Sequence, residues 1–488
     1  MVVGELAESA DLLVIGGGPG GYAAAIRAAQ LGREVTLVER NGGAGLGGVC
    51  LHVGCIPSKA LIELAGSAHR TAELEAAGLH ADGVAVSLER FQAWRGELCA
   101  RLARGVGELL AKGQVRIVHG EARFNRPDRV AVHTPDDRAL FLEFQHAIVA
   151  TGSHPIELPN LPTDGERVLD STGALALTKA PKSAAVIGAG YIGLELGTAL
   201  AKLGTRVTVV EALDRVLPSV EESLTAPVRR RLRALGVDVR LRTTAERIEG
   251  DSLVVTGPDG EDRVEAERVI VAVGRVPNTD DLGLAAAGIA STQHVPDGAS
   301  EDGHGAASAL ARAGLIDIGE DMRATERIAA IGDVVAGPAL AHKATAEAAV
   351  AAEALSGVPA AFDARAVPEV MFTDPEIGTV GLTEAQARDA GLDPAVATFP
   401  LAASGRAGTL NERDGFTRLV TDRATDRVIG VHIVGPHASE LVAGGALAIE
   451  LMASPGDVAA TIHPHPTLSE GLHEAAALAL GHPIHVSG

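Results

Sequence analysis

DLLVIGGGPGGYAAAIRAAQLGREVTLVER (residues 11–40) and SAAVIGAGYIGLELGTALAKLGTRVTVVEA (residues 183–212) are two copies of one design. Each reads as an apolar strand, a G-x-G-x-x-G turn, an Ala/Leu-rich helix and a second strand ending in glutamate. Gly16 and Glu39 are 23 residues apart, as are Gly188 and Glu211. One such turn alone is a weak sign; two complete units with matched spacing predict two dinucleotide-binding βαβ units. Gly16, Gly18 and Gly21, then Gly188, Gly190 and Gly193, allow the tight turn and the close backbone approach. The following helix offers a pyrophosphate its free N–H groups and the positive end of its dipole. Glu39 and Glu211 are spaced to accept hydrogen bonds from an adenosine ribose. A carboxylate there repels a 2′-phosphate, so Glu211 favours NAD over NADP. Arg206 and Arg215, which flank the second unit, read as solvated surface residues.

Just downstream of the first turn runs GGVCLHVGCIPSK (47–59), with two of the three cysteines of the chain, Cys50 and Cys55. A C-x4-C pair behind a nucleotide loop reads as a redox dithiol serving a flavin. The alternative is two buried thiols packing as small hydrophobes. Five residues of regular helix rise about 7.5 Å, beyond the roughly 7 Å that a disulfide spans between Cα atoms. A bridge therefore needs Cys50 on a loop entering the helix, with Gly54 at the bend and Pro57 in the first helical turn. Lysine occurs only at 59, 112, 179, 182, 202 and 343, so Lys59, four residues after Cys55, stands out.

The 488 residues suffice for about three domains. With 46% hydrophobic and 22% charged residues the chain has the composition of a soluble globular protein. Its net charge of −21 argues against nucleic acid and anionic membrane surfaces as partners. Acids near the start and no basic, apolar leader predict a protein without a secretory signal, in the cytoplasm. No uninterrupted apolar run suggests membrane insertion. With so few cysteines, a dithiol serves catalysis or sensing rather than stapling.

Further along, VRIVHGEARF and HAIVATGSHP read as strands, and IAAIGDVVAGPALAHKATAEAAV as a strand, an IGD turn and a helix. Residues 291–314 are Gly-, Ala-, Ser- and Asp-rich and read as an exposed insert. From about Ala360, strands (VMFTDP, TRLVTD, VIGVHIV) with two Ala-rich helices suggest a separate α+β domain.

Taken in order, GGVCLHVGCIPSKAL, ATGSHPIELP, GAGYIGLELG, AIGDVVAGPALAHKA, FTDPEIGTVGLTE and IHPHPTLSEGLHEAA identify a resemblance over essentially the whole chain. It is to the dihydrolipoyl dehydrogenase group of the FAD-dependent pyridine nucleotide–disulfide oxidoreductases. The resemblance implies an α/β fold: two Rossmann-like dinucleotide-binding domains, for FAD and NAD, and a C-terminal α+β dimerisation domain. Residues 1–155 would begin the FAD domain, 156–278 form the NAD domain, 279–358 complete the FAD and central region, and 359–488 form the interface domain.

The same resemblance assigns roles. Cys50 is similar to the interchange thiol that meets the substrate, and Cys55 to the charge-transfer thiol against the flavin. Lys59 resembles the lysine beside the reactive flavin nitrogen, with Glu195 as its ion-pair partner, and Asp333 the ribityl-binding aspartate. Backbone at Ala122, Thr151, Gly152 and Ala341 would touch FAD. Gly274 would lie over the NAD site, and Tyr191 would cover the flavin until nicotinamide arrives. His465 and Glu470 match an acid–base dyad, with a cis peptide before Pro466 and His463 structural. His465 would serve the flavin site of a second subunit, which makes a homodimer necessary. No metal is implied. The partners would be lipoyl domains and the acyltransferase core of 2-oxo acid dehydrogenase or glycine cleavage complexes.

The sequence departs from the family pattern at His52, usually Asn, which is either neutral packing or an influence on Cys50; His52, His294 and His304 read as surface residues. Rival readings are a glutathione- or mercuric-type reductase and a non-catalytic flavoprotein sensor or scaffold. Against the first stand Ser58 in place of a lysine, Glu211, and the lack of any cysteine after Cys99. Against the second stands the joint presence of Cys50, Cys55, Lys59, His465 and Glu470.

Overall fold

The computed structural model describes residues 7–81, 83–292 and 314–486. The chain divides into two units, Met1–Pro181 with Arg268–Asp363 and Lys182–Glu267 with Ala364–Gly488. The division runs inside the 156–278 stretch and leaves both ends of that stretch with the first unit.

In the first unit, β1 (Ala7–Ile15) and β2 (Val35–Glu39) are the strands of the first repeat, joined by helix α1 (Pro19–Gln30). All of β2 and the end of β1 are buried, as near-continuous apolar runs must be in a parallel sheet covered on both faces. The sheet is completed by β3 (Arg116–His119), β4 (Glu121–Arg126), β5 (Arg129–His133) and β6 (Ala139–Val149), in the order β3-β2-β1-β6-β5-β4. Strand Ile328–Ala330 adds alongside the end of β6, with Ile328 opposite Ala147. On one face Ala24, Ala25 and Ala28 of α1 and Ala348, Ala351 and Ala352 of helix Ala341–Leu355 pack on Leu12, Val14, Leu37 and Ile148. Alanine lets these helices lie close to the sheet, which is how a chain with 2% aromatics fills its core. The opposite face holds Leu13, Ile15, Phe124, Val130, Phe144 and Val149.

Apart from its ends, the 291–314 insert lies outside the described residues, and so do His294 and His304. Its ends meet: Gly314 N–H donates to the Thr292 carbonyl at 3.1 Å. Among the described residues one stretch, Gly48–Glu73, reaches the length and mean hydropathy (1.3) of a membrane-crossing helix. It is interrupted at Val53–Gly54 and carries Lys59, Glu63, Arg70 and Glu73.

In the second unit the repeat recurs as parallel strands Ser183–Ile187, Arg206–Val210 and Asp238–Arg240, with Val209 opposite Val186 and Val239. Helix Tyr191–Lys202 joins the first two, and Arg206 is paired with Glu265 at 2.9 Å. A three-stranded antiparallel meander follows over residues 244–265. The C-terminal part is α+β: five antiparallel strands in the order Glu369–Met371, Ile377–Gly381, Arg427–Val434, Phe416–Asp422 and Pro394–Pro400. Helices Ala438–Glu450 and Glu470–Ala479 cover it. The sequence reading named three of the five strands. Ile377–Gly381 was not named, since its two glycines are poor strand formers; Gly378 serves close packing, because a Cβ there would meet the Ala438 carbonyl at 2.5 Å. Pro394–Pro400 escaped it because its ends are prolines, tolerated at the ends of an edge strand.

Candidate active site

Cys50 is not on a loop, as the sequence geometry required, but inside a separate one-turn helix, α2 (Gly48–His52). Cys55 opens the next helix, α3 (Cys55–Glu73). Val53 and Gly54 break the chain between them, Gly54 at φ −131 and ψ −110. The rise of one continuous helix therefore does not separate the two cysteines. Pro57 falls in the first turn of α3, as expected. The two cysteine side chains are hydrogen-bonded to each other. That bond, then burial, pushes the Cys50 thiol far up, while the Lys59 charge pulls it back. Tyr22 of α1 stands near Cys50, and burial followed by the thiol raises its hydroxyl as well. Cys99, in helix α4 (Leu88–Lys112), is buried apart from them.

His52 is not a surface residue. It is half-buried, its Nε2 2.9 Å from the Leu46 carbonyl, so it ties α2 to the loop before it.

The dithiol segment is seated on the first dinucleotide turn. Gly47 N–H donates to the Gly17 carbonyl at 2.8 Å, and a Cβ on Gly48 would stand 2.7 Å from Gly18 Cα. Within the turn, Gly16 has φ +103, and a Cβ on Gly21 would lie 1.9 Å from the Gly16 carbonyl oxygen. Gly18, by contrast, faces open space. It precedes Pro19 at the start of α1, and no side chain caps that N-terminus. Glu39 is buried, and its carboxylate accepts from Gly17 N–H at 2.7 Å and Asn41 N–H at 3.1 Å. An open cradle, uncapped N–H groups and a buried acceptor fit the diphosphate and ribose of FAD.

On the same unit, Asp333 lies in the turn after strand Ile328–Ala330 and accepts from Ser153 Oγ at 2.6 Å. Ser153 is held by Arg275, which donates to its hydroxyl at 2.8 Å and its carbonyl at 2.6 Å. Thr151 and Asn278 clasp each other through two 2.8 Å hydrogen bonds. They fix the strand exit where Gly152 takes φ +71. Gly274 has φ +138, with Ile156 against it. Ala122 is on β4, and Ala341 opens its helix without a side-chain cap. Ser153, Arg275 and Tyr22 were missed from sequence; only FAD-loop proximity marks them, and spacing does not carry that.

The second unit repeats the geometry. Gly188 has φ +101, a Cβ on Gly193 would lie 2.0 Å from the Gly188 carbonyl oxygen, and Gly190 faces open space. Glu211 accepts from Ala189 N–H at 2.6 Å and Leu213 N–H at 2.8 Å. The helix begins at Tyr191, 42% exposed, and holds Glu195, 3% exposed, whose Oε1 accepts from Phe372 N–H at 2.9 Å. Near the C-terminus His465 Nδ1 lies 2.8 Å from Glu470 Oε1, and Thr467 N–H donates to Glu470 Oε2 at 2.8 Å. Burial works against the Glu470 charge, but the Thr467 N–H and then His465 hold its carboxyl below the usual range. The His465 ring is 77% exposed, its other nitrogen open to an incoming group, and the His465–Pro466 peptide is cis. The His463 ring lies tilted by 50° against that of His473, with centroids 6.0 Å apart. Among the described residues no group of three or more His, Cys, Asp or Glu could hold a metal ion.

Residues 10–348 match the family model of the pyridine nucleotide-disulphide oxidoreductases, and residues 367–476 match that family's dimerisation domain. Dihydrolipoyl dehydrogenase of Geobacillus stearothermophilus is 46% identical, covering 100% of this chain and 99% of its own. That of Halobacterium salinarum is 46% identical over 99% of both chains, and that of Bacillus subtilis 45% over 100% of both. Among solved structures, LpdA of Mycobacterium tuberculosis superposes with a TM-score of 0.85 at 28% identity, over 96% of this chain and 99% of that one. The HOCl-induced flavoprotein disulfide reductase RclA of Escherichia coli does so with 0.80 at 27%, over the same shares.

Proposed function

Because the chain belongs to the pyridine nucleotide-disulphide oxidoreductase family, we propose that it oxidises protein-bound dihydrolipoyl groups and reduces NAD⁺ to NADH. The observation that carries this reading is the hydrogen-bonded Cys50–Cys55 pair seated on the first dinucleotide turn. Whole-length relatives named dihydrolipoyl dehydrogenase support it.

In the oxidised state of the pair, His465 takes the proton of one dihydrolipoyl thiol, and Glu470 orients the ring and balances its charge. The thiolate attacks Cys50 Sγ; the Cys50–Cys55 bond breaks, and Cys55 leaves as thiolate. The second dihydrolipoyl thiol, deprotonated in turn, attacks the mixed disulfide. It closes the lipoyl ring and releases Cys50, which is reprotonated. The reaction leaves the pair reduced, Cys50 as thiol and Cys55 as thiolate, with the second substrate proton on His465 and Lys59 placed to stabilise the negative charge of the pair. The first turn, Glu39, Asp333 and backbone at Ala122, Thr151, Gly152 and Ala341 would hold FAD, which would supply the redox chemistry between the dithiol and NAD⁺. The second turn and Glu211 hold NAD⁺, with Gly274 and Tyr191 at its nicotinamide end and Glu195 as counter-charge for Lys59. Residues 1–155 and 279–358 form the FAD part of this arrangement, 156–278 the NAD part and 359–488 the interface.

The dimerisation domain supports a homodimer, in which the partner subunit's His465 serves Cys50. Lipoyl domains and an acyltransferase core are the assigned partners, and the cytoplasm the assigned location of a soluble enzyme. The test follows NADH on mixing enzyme, NAD⁺ and dihydrolipoamide, and separately NADPH oxidation with oxidised glutathione. NADH formation lost in Cys50→Ser and His465→Ala upholds the reading; turnover with glutathione and NADPH alone overturns the substrate and the role of Glu211.

A further inference from the structure

Helix Ala341–Leu355 contains an ion pair that the mechanism does not use. Lys343 Nζ and Glu347 Oε1 are 2.6 Å apart on successive turns, with side chains only 5% and 2% exposed. The second oxygen of Glu347 accepts the Gly332 N–H at 2.7 Å. Gly332 has φ +78, immediately precedes Asp333, and begins the turn that ends the strand Ile328–Ala330. At the far end of that segment a Cβ on Gly337 would stand 2.9 Å from Lys343 Cε. The segment 332–337 is thus laid over the ion pair, touching it at both ends. Burial raises the Glu347 carboxyl, with Lys343 and the Gly332 N–H opposing that rise.

We infer that Glu347 is a positioning residue for the flavin cofactor: by accepting the Gly332 N–H with one oxygen, while Lys343 holds the other, it fixes the turn that presents Asp333. The inference rests on the reading of Asp333 given above. A buried ion pair is a poor stabiliser, since apolar residues of similar size often hold a fold as well or better. Its retention under this turn calls for another use, and the Gly332 N–H supplies one. Asp333 is then gripped from two directions, its backbone from below through Gly332 and its carboxylate from the side by Ser153. The exposed-face interpretation of Lys and Glu four apart on an Ala-rich helix does not apply, because this face is buried.

The experiment compares FAD binding to apoprotein, by quenching of flavin fluorescence, in the wild type, K343M/E347M, K343M/E347Q and D333N. The methionine pair removes charge and acceptor while keeping volume; the glutamine pair restores a carbonyl acceptor. Leaving one buried donor unpaired is expected to weaken FAD binding about 10- to 100-fold in K343M/E347M, with recovery to within about threefold of wild type in K343M/E347Q. Wild-type FAD affinity in a folded K343M/E347M overturns the inference, as does equal loss in both pairs, which would assign the effect to charge alone. If D333N binds FAD like the wild type, the reading of Asp333 fails instead. Should the methionine pair not fold, hydrogen exchange on the holoenzyme decides. The peptide carrying Gly332 is expected to be protected in the wild type and in K343M/E347Q, and open-loop exchange in either overturns the inference.

Discussion

Replacing Glu470 by glutamine tests the dyad with almost no change in shape. The carboxylate now accepts two hydrogen bonds at 2.8 Å, one from His465 and one from Thr467 N–H. A glutamine side chain has one oxygen and one NH₂, so it can satisfy only one of these donors. A hydrogen bond to a charged group contributes about 1.5–3 kcal/mol and a neutral one about 0.5–1.5, so the protonated imidazole loses about 1–2 kcal/mol of support. The 77% exposure of the ring lets solvent screen the remaining charge attraction, which adds little. At about 1.4 kcal/mol per decade, kcat for dihydrolipoamide with NAD⁺ falls about 5- to 30-fold. The assay is steady-state NADH formation, with NADH oxidation by an outer-sphere acceptor such as ferricyanide as the control for an intact flavin site. The decisive companion is Glu470→Gln in a His465→Ala background, where the second change costs almost nothing if the two residues act as a unit. A Glu470→Gln enzyme with more than half the wild-type kcat, or fully additive losses in the double variant, refutes the reasoning.

Gly21→Ala and Gly193→Ala each drive a methyl to about 2 Å from a backbone carbonyl oxygen of their own turn, yet they should fail differently. The first is expected to yield protein poor in flavin by absorbance. The second should keep its flavin and show a raised KM for NAD⁺, and a normal KM would contradict the assignment of that turn. Glu211→Ser, which removes the carboxylate facing the ribose, should narrow the preference for NAD⁺ over NADP⁺ by at least about tenfold in kcat/KM; an unchanged ratio assigns the discrimination elsewhere. His432 is fully buried, with Nε2 at 3.2 Å from the Leu382 carbonyl, and burial lowers its pKa despite that carbonyl. The unfolded chain therefore takes up the proton first as pH drops, so this contribution to stability is complete above about pH 6.5 and is lost towards the lower folded value. The melting temperature of His432→Gln should fall less than that of the wild type between pH 7 and 5, and parallel curves would remove the residue from the acid response.

The features written in short spacing were legible: both βαβ units, the cysteine pair, and the His465–Glu470 dyad, whose members are five residues apart. The bend at Gly54 was legible too, but the short helix α2 that carries Cys50 was not, because a single turn of five residues leaves no periodicity to read. Strands Ile377–Gly381 and Pro394–Pro400 hid behind glycines and prolines that serve close packing and strand ends. The Ser153–Asp333 link joins residues 180 apart, a separation no pattern encodes. The buried Lys343–Glu347 pair was not singled out, because its burial depends on a turn folded over it.

The two dinucleotide turns differ at their second position, Gly17 in one and a fully buried Ala189 in the other. A methyl on Gly17 would meet Glu39 Oε2 at 2.9 Å and Leu46 Cδ2 at 3.2 Å. Leu46 belongs to the loop that delivers Cys50, so a leucine of that loop borders the slot that a side chain occupies in the sister turn. The histories of positions 17 and 46 are tied for that reason. Alanine at 17 therefore asks the ends of the Glu39 and Leu46 side chains to give way by a few tenths of an ångström, and a smaller residue at 46 removes half of that demand.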